Sequence, residues 1–490
     1  MRKIIILFLL FPFFSAFSQP ITFEIVYGGG GNDEARSIWQ TTDGGYIVAG
    51  ISGSYPSGNS DVFLLKIDSV GAIMWFKFPG GTNLQAGYSV QQTSDGGFIV
   101  AGLTDAGGFG GYDVYLLKTD INGDSLWSKT YGGADWDFGY YVEETADNGF
   151  IIGGTTYSFG EGQQMYLIKT DATGDTTWTK TYGGLGLESA ACVRQTTDNG
   201  YILSGSTTSY GAGEKDVYLV KTDANGDTLW TKTFGDIKDD EGTFVEQTID
   251  GGYVLSAIRT NPTTNRNDEN YIKTDGTGTQ QWEQIFNSVV GDKSYVIHQR
   301  NDGTYVAAGA IDGLGGGLTD YFFLRMNGGG YPIGFVRTEG GEKNDILHSM
   351  QVANDQGLIM AGYSESYGEG LKQIYIVKTD SILSQLNDPV IIGINDKAAN
   401  EIKNGITVFP VPASDNLYVF INKSISAKLK AEIVISLYDL TGKLIFNKQL
   451  FPQTINGQIE FPVSGIQNGL YVLRINSDEF SFEKKIIINH

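Results

Sequence analysis

Three spaced markers recur seven times along this chain, and a repeat of that kind limits the fold more than any local motif does. The first is an Asp followed by Gly, directly or after one residue, at Asp43, Asp95, Asp147, Asp198, Asp250, Asp302 and Asp355. The second is a Trp at positions 75, 127, 178, 230 and 282, with Phe23 and Phe335 in the same register at the two ends. The third is the basic residue that ends an apolar run: Lys66, Lys118, Lys169, Lys221, Lys273, Arg325 and Lys378. All three agree on units of 51 to 53 residues.

Each unit holds four short β-rich runs. In one they read SLWSKTYGG, YYVEETADNG, FIIGGTTYS and MYLIKTD. Asp-Gly turns and Gly-rich loops separate them, which are hairpin signals. No long run has helical periodicity. Four antiparallel strands at a period near 50 predict an all-β, seven-bladed β-propeller. Runs such as FIIGG lack polar alternation, as blades covered on both faces would. The last unit stops at Lys378-Thr-Asp without a Trp-type strand, while the chain offers an orphan one, ITFEIVYGG. That N-terminal strand is expected to complete the seventh blade and close the ring, leaving few exposed edges.

The stretch KTDINGDSLWSKTYGG then reads as a hairpin between third and fourth strands, with Trp127 plugging the seam to the next blade. Asp and Asn suit such turns because their side chains bond nearby backbone. The pattern resembles the tryptophan-docking hairpin of pyrroloquinoline-type propeller repeats and, more loosely, kelch repeats and the sialidase Asp-box. The resemblance implies architecture, not use of a cofactor.

The 490 residues carry a formal charge of −22, which argues against nucleic acid or an anionic membrane as partner. MRKIIILFLLFPFFSAFSQ has a basic start, an apolar stretch and small residues before Gln19, so residues 1–19 read as a signal peptide. Its apolar run is too short for a transmembrane helix, and no other segment of the mature chain reads as a span. Cys192 is the single cysteine and reads as a small buried hydrophobe in a strand.

The repeat, residues 20–383, gives way to a patternless stretch, 384–405, and then to a small β-sandwich at 406–490. This last module resembles the type A C-terminal sorting domain of the type IX secretion system of Bacteroidota. The resemblance rests on Phe409, Pro410, Pro412, Ala413 and Ser414, then Tyr438, Asp439 and Gly442, then Gly469, Tyr471 and Leu473, and finally Lys484 and Lys485. It implies passage through the periplasm, export by the type IX machinery, and release or attachment at the outer-membrane surface.

Catalytic patterns are sparse. His298 and His348 occupy corresponding strands of adjacent blades, without a third ligand at metal spacing. The propeller's arginines fall at scattered repeat positions. Gly-rich stretches precede strands, so they do not cradle phosphate at a helix N-terminus. Asp120, Asn122 and Asp124 make calcium a minor alternative, but the series stops short of an EF-hand loop. No catalytic residue, metal or other cofactor is expected.

A ligand face follows from the topology. If the two Asp-rich turn sets share one end of the ring, two other loop sets share the opposite end. One carries Trp136 between Asp135 and Asp137; the other carries Tyr55, Phe109, Phe159, Tyr210 and Tyr367. Aromatics beside carboxylates suit a glycan or protein ligand. The expectation is a secreted or surface propeller that binds rather than catalyses. The alternative is a polysaccharide hydrolase or lyase with two converging carboxylates.

Overall fold

The computed structural model describes residues 22–54, 60–80, 83–105, 110–286, 292–313, 317–334, 336–368, 371–383, 390–393, 406–409, 416–421, 433–439, 443–450, 458–467, 469–476 and 481–488. The signal-peptide stretch, Phe335, Tyr55, Phe109, Pro410, Pro412 and Gly442 lie outside them. The chain divides into two compact units, 1–393 and 394–490.

The first unit is a seven-bladed β-propeller of antiparallel four-stranded sheets, as the repeat predicts. The third blade shows the pattern from the innermost strand outward: Asp137–Glu144, Phe150–Thr156, Gln164–Thr170 and Thr176–Tyr182. The second and third strands are buried at every residue, so both faces of each sheet pack against neighbouring blades. That is why their sequences lack alternation.

Glycine or a tolerant substitute makes the turns possible. After the marker Asp, the next residue adopts positive φ: Gly44 at 83°, Gly96 at 85°, Asn148 at 60°, Asn199 at 63° and Gln356 at 65°. Gly and Asn are the residues that enter this region most readily. The marker Lys reaches back to the marker Asp, as Lys118 Nζ does to Asp95 at 2.9 Å, and also donates to the Thr119 carbonyl. The turn that follows each blade's first strand and the turn that follows its third therefore lie at one end of the ring.

The Trp marker is the inter-blade plug. In the outermost strand Trp127 pairs with Lys118, and its ring lies 6.0 Å from Phe150 of the next blade. A Cβ placed on Gly174, in the next blade's strand-three turn, would sit 2.7 Å from that ring. Trp75 meets Gly123, Trp178 meets Gly226 and Trp230 meets Gly278 in the same way. Phe23 takes this place at the closure: it pairs with Lys378, and its ring lies 3.0 Å from a Cβ on Gly71 of the first blade. So Phe23–Gly28 completes the seventh blade, whose other strands are Asp345–Val352, Leu358–Ser364 and Gln373–Lys378.

Side chains seal the innermost strands to the blades before them. Thr42 N donates to Gln92, Ala146 N to Gln195 and Thr197 N to Gln247. Asn354 N to Gln40, at 2.8 Å, is the same bond across the closure. Within the stretch read as patternless, Val390–Gly393 adds a fifth strand parallel to Phe23–Gly28. A β-branched run has met an unpaired strand edge there.

The second unit has a three-stranded sheet of Ile406–Phe409, Asn416–Ile421 and Gln458–Pro462. Its four-stranded sheet is Leu444–Leu450, Ile433–Asp439, Gly469–Asn476 and Ser481–Ile488. Alternate residues of both sheets, among them Leu417, Phe461, Ile435 and Leu473, form one buried core, as in a sandwich. Asp439 pairs with Tyr471, whose hydroxyl donates to the Gln467 carbonyl at 2.7 Å. Gly469 pairs with Ile488, Lys484 with Leu473 and Lys485 with Val472.

Candidate functional site

The end of the ring opposite the Asp-rich turns carries two loop sets per blade. One enters the innermost strand; the other joins the second strand to the third. In the third blade they are residues 132–136 and 157–163. They meet over Asp137, which opens the innermost strand and is fully buried. Its carboxylate accepts from Gly133 N at 2.8 Å and Ser158 Oγ at 2.7 Å. Asp33 and Asp345 hold their loop pairs in the same manner. Asp137 therefore positions the loops from inside, although it is adjacent in sequence to the exposed Trp136.

Trp136 is 53% exposed and lies against Gly111 of the preceding blade. Its ring is 6.0 Å from Tyr112, 6.4 Å from Phe138 and 6.3 Å from Tyr157. A cavity of about 340 Å³ opens beside it, lined by Asp135, Trp136, Tyr157, Gly162, Gln163 and Leu187. The Tyr157 hydroxyl donates to Gln163 at 2.7 Å, and Asp135 N donates to Ser158 at 3.0 Å. An exposed indole, a phenol, an amide and one carboxylate thus face one cavity between two blades.

The other rim aromatics are not gathered there. Phe159 packs on Tyr166 at 5.6 Å, in the third blade. Tyr210, in the fourth, donates to the Gly183 carbonyl at 3.0 Å. Tyr367, in the seventh, donates to the Gly340 carbonyl at 2.7 Å. Each braces its own loop pair. Tyr157 is a site residue that the sequence reading passed over. Its signal is an exception to the repeat: the corresponding residues are Gly53, Asp105, Thr208, Thr260, Asp312 and Glu365.

The innermost strands line a central channel. The fourth residue of each strand is the extra one at a β-bulge, which breaks the alternation and turns that residue away from the seams toward the channel. Those residues are Arg36, Tyr88, Tyr140, Ala191, Thr243, Tyr295 and His348. Tyr88 and Tyr140 lie 5.6 Å apart, the Arg36 guanidinium stands 5.9 Å from the Tyr88 ring, and Tyr295 and His348 are 6.2 Å apart. Burial raises the Tyr88 and Tyr140 phenols, and brings Tyr295 up to about 12. Burial, with Arg36 and Lys372 nearby, holds the His348 imidazole well below its ordinary value, so it is neutral. His298 is different: it lies in the floor of the ring between Glu246, at 2.5 Å, and the Met350 carbonyl, at 3.1 Å.

The Asp-rich turns have local uses for their carboxylates. Asp120 accepts from Asn122 N at 2.9 Å and Asp124 N at 2.8 Å, and Asp124 pairs with Lys77 of the preceding blade. Cys192 is fully buried, and burial pushes its thiol up to about 12.

Residues 407–489 match the family described as the secretion system C-terminal sorting domain. The tail is a type IX sorting signal, which implies contact with that machinery. The protein is secreted, extracellular or attached at the outer surface. No helix among the described residues is long and apolar enough to cross a membrane. Regulatory protein FlaEY of Caulobacter vibrioides is 27% identical over 245 residues, which are 46% of this chain and 21% of that protein. The chain thus spans about a fifth of the length of this curated relative. Among solved structures, Sqt1 of Chaetomium thermophilum is 12% identical with a TM-score of 0.43, covering 73% of this chain and 98% of its own. The Pan2 WD40 domain of Neurospora crassa is 8% identical with a TM-score of 0.42, covering 73% and 91%. A puromycin hydrolase is 11% identical with a TM-score of 0.47, covering 80% and 58%.

Proposed function

We propose that this protein is a non-enzymatic binding propeller that holds carbohydrate on its loop face, at the Trp136 cavity. In this reading residues 1–19 are a signal peptide, 20–383 the propeller, 384–405 a linker and 406–490 a type A sorting domain of a Bacteroidota cell. The blades use the docking hairpin of pyrroloquinoline-type repeats as a structural device only.

The observation that carries the reading is the 53% exposed Trp136 ring, beside Asp135, Gln163 and the Tyr157 phenol in one cavity. An indole that is more than half exposed offers apolar area for a sugar ring to pack on, and the polar groups beside it can bond hydroxyls. Hydrolysis would need a second carboxylate about 5–10 Å away. Asp135 supplies the one carboxylate among the lining residues, which favours binding over cleavage. The Asp-rich turns serve the hairpins, so EDTA should leave binding unchanged.

The test is an oligosaccharide panel screened by calorimetry on the full secreted chain and on Trp136→Ala. Binding that weakens at least tenfold in the variant supports the reading. A protein ligand in place of sugar, or release of reducing ends during the titration, would overturn it.

A further inference from the structure

The exposed indole is the outer end of a longer feature. From Trp136 an aromatic path runs inward to Phe138 at 6.4 Å, then to Tyr140, stacked on Phe138 at 6.0 Å with 9° between the planes, then to Tyr88 at 5.6 Å. It ends at Arg36, 5.9 Å from the Tyr88 ring. The path therefore leads from the loop face into the channel and stops at a cation.

That cation has company. Lys372 Nζ stands 4.2 Å from the Tyr363 ring centroid and pairs with Glu34 at 2.7 Å; Glu34 also holds Arg36. His348 lies 5.7 Å from Tyr363. Two cations share one carboxylate here, in a chain whose formal charge is −22. Two buried nitrogens of the group, Arg36 Nε and His348 Nε2, have no hydrogen-bond partner among the described residues. Arg36 Nε is a donor, and His348 Nε2 is one in the tautomer that carries its proton there, so a ligand acceptor would satisfy both.

We propose that the channel mouth recognises the carboxylate of an acidic sugar, at the inner end of an oligosaccharide that lies along the aromatic path from Trp136. The proposal rests on the carbohydrate reading above and adds the charge and direction of the ligand. Arg36 and His348 donate to the carboxylate, and Lys372 supplies a second positive charge. A peptide fits less well. The innermost strand edges that a peptide would pair with are capped by neighbouring blades: Val90 N donates to Ser37, Glu144 N to Gln91 and Gln299 N to Glu246.

The experiment titrates the full chain with tetragalacturonate, with its fully methyl-esterified form and with a neutral cello-oligosaccharide, at two salt concentrations. The free acid should bind at least tenfold tighter than its ester, and that advantage should shrink at high salt. Arg36→Gln and, separately, Lys372→Gln should bring the ratio of acid to ester toward one, while Trp136→Ala should weaken both ligands alike. Two substitutions in different blades guard against one misfolding, and each is checked by thermal melting. Equal binding of acid and ester by the unaltered protein, or an acid preference that survives both substitutions, overturns the channel proposal and leaves the carbohydrate reading standing. Binding of none of the three overturns both.

Discussion

Asp240 offers a sharp test of how the loop end is held together. It opens the innermost strand of the fifth blade, as Asp137 does in the third, and is 1% exposed. Its carboxylate accepts from Asp236 N at 2.8 Å, while Oδ1 has no partner among the described residues. The Asp216 carboxylate presses on the same glycine, since a Cβ at Gly235 would collide with both. One seam away the equivalent pair is an amide and an acid: Gln164 Nε2 donates to Glu188 at 3.3 Å. The acid pair lacks that N–H. Burial, then the charges of Asp236 and Asp216, raises the Asp240 carboxyl from 3.8 to about 6, despite Arg259 nearby. A carboxyl raised in the fold stabilises it fully below about pH 4 and ceases to do so as pH rises through about 6. At 1.36 kcal/mol per pH unit the loss is about 2–3 kcal/mol. Asp240→Asn keeps an acceptor for Asp236 N and supplies the missing donor. It should therefore be more stable than the parent by about 2–3 kcal/mol at pH 8, or ~3–4 °C in Tm for a ring of this size, and nearly equal at pH 4. Urea unfolding followed by tryptophan fluorescence at pH 4, 6 and 8 reads the difference. An Asn variant that is less stable at pH 8, or an offset independent of pH, would refute the account.

Three further outcomes follow from the blade plan. Asp95→Ala leaves the Lys118 ammonium, 5% exposed, without its carboxylate and should cost about 3 kcal/mol, whereas Lys118→Met leaves a carboxylate that is 59% exposed to water and should cost about 1 kcal/mol; urea unfolding that ranks them the other way defeats the argument. Burial opposes it, but bonds from Thr145 and Lys169 hold the Asp147 carboxyl down at about 2, and Thr248 and Lys273 do the same for Asp250. The stability these groups add is present above about pH 4 and lost as pH falls through 2, so Asp147→Asn should flatten the acid limb of a Tm-against-pH curve. Gly174→Ala, at φ 78° and with its Cβ 2.7 Å from Trp127, should cost over ~2 kcal/mol, while Gly251→Ala, at φ 81° in open space, should cost only ~1 kcal/mol of backbone strain.

Much of the fold was legible because repetition multiplies weak signals. One Asp-Gly is a turn among many, but seven in register with a Trp and a Lys identify the blade, and the orphan strand at Phe23 gives the closure. The individual contacts were legible only in outline: the Trp127 plug was, but the glycine it lands on was not, because that glycine sits 47 residues away in the next hairpin. The candidate site was half legible. Trp136 stood out as a Trp off register. Asp135 and Asp137 looked like its equal flanks, yet a strand begins between them, and from that point alternate residues face opposite ways. Asp137 turns inward to clamp the loops, while Asp135 stays at the cavity.

Repetition also hides what differs. A position kept alike in all seven blades serves the ring, because each blade must solve the same packing problem against its neighbour. A position free of that duty can vary from blade to blade, and the fourth residue of each innermost strand does so: Arg, Tyr, Tyr, Ala, Thr, Tyr and His. The third residue of the same strands is instead Ala, Gly, Gly, Ala, Gly, Ser and Leu, small in six of seven because it faces the crowded seam. The departures are not spread evenly. Trp136, Phe138, Tyr140 and Tyr157 all belong to the third blade, and Tyr88 and Arg36 follow in the second and first. Random drift on an idle surface would scatter large aromatics around the ring. The large channel residues instead run without a break through Tyr295, His348, Arg36, Tyr88 and Tyr140, and the exposed indole stands at the third-blade end of that run, while the fourth and fifth blades carry only Ala191 and Thr243. That asymmetry ties the loop cavity and the channel mouth into one candidate surface, and it is what Trp136→Ala and Arg36→Gln would probe from its two ends.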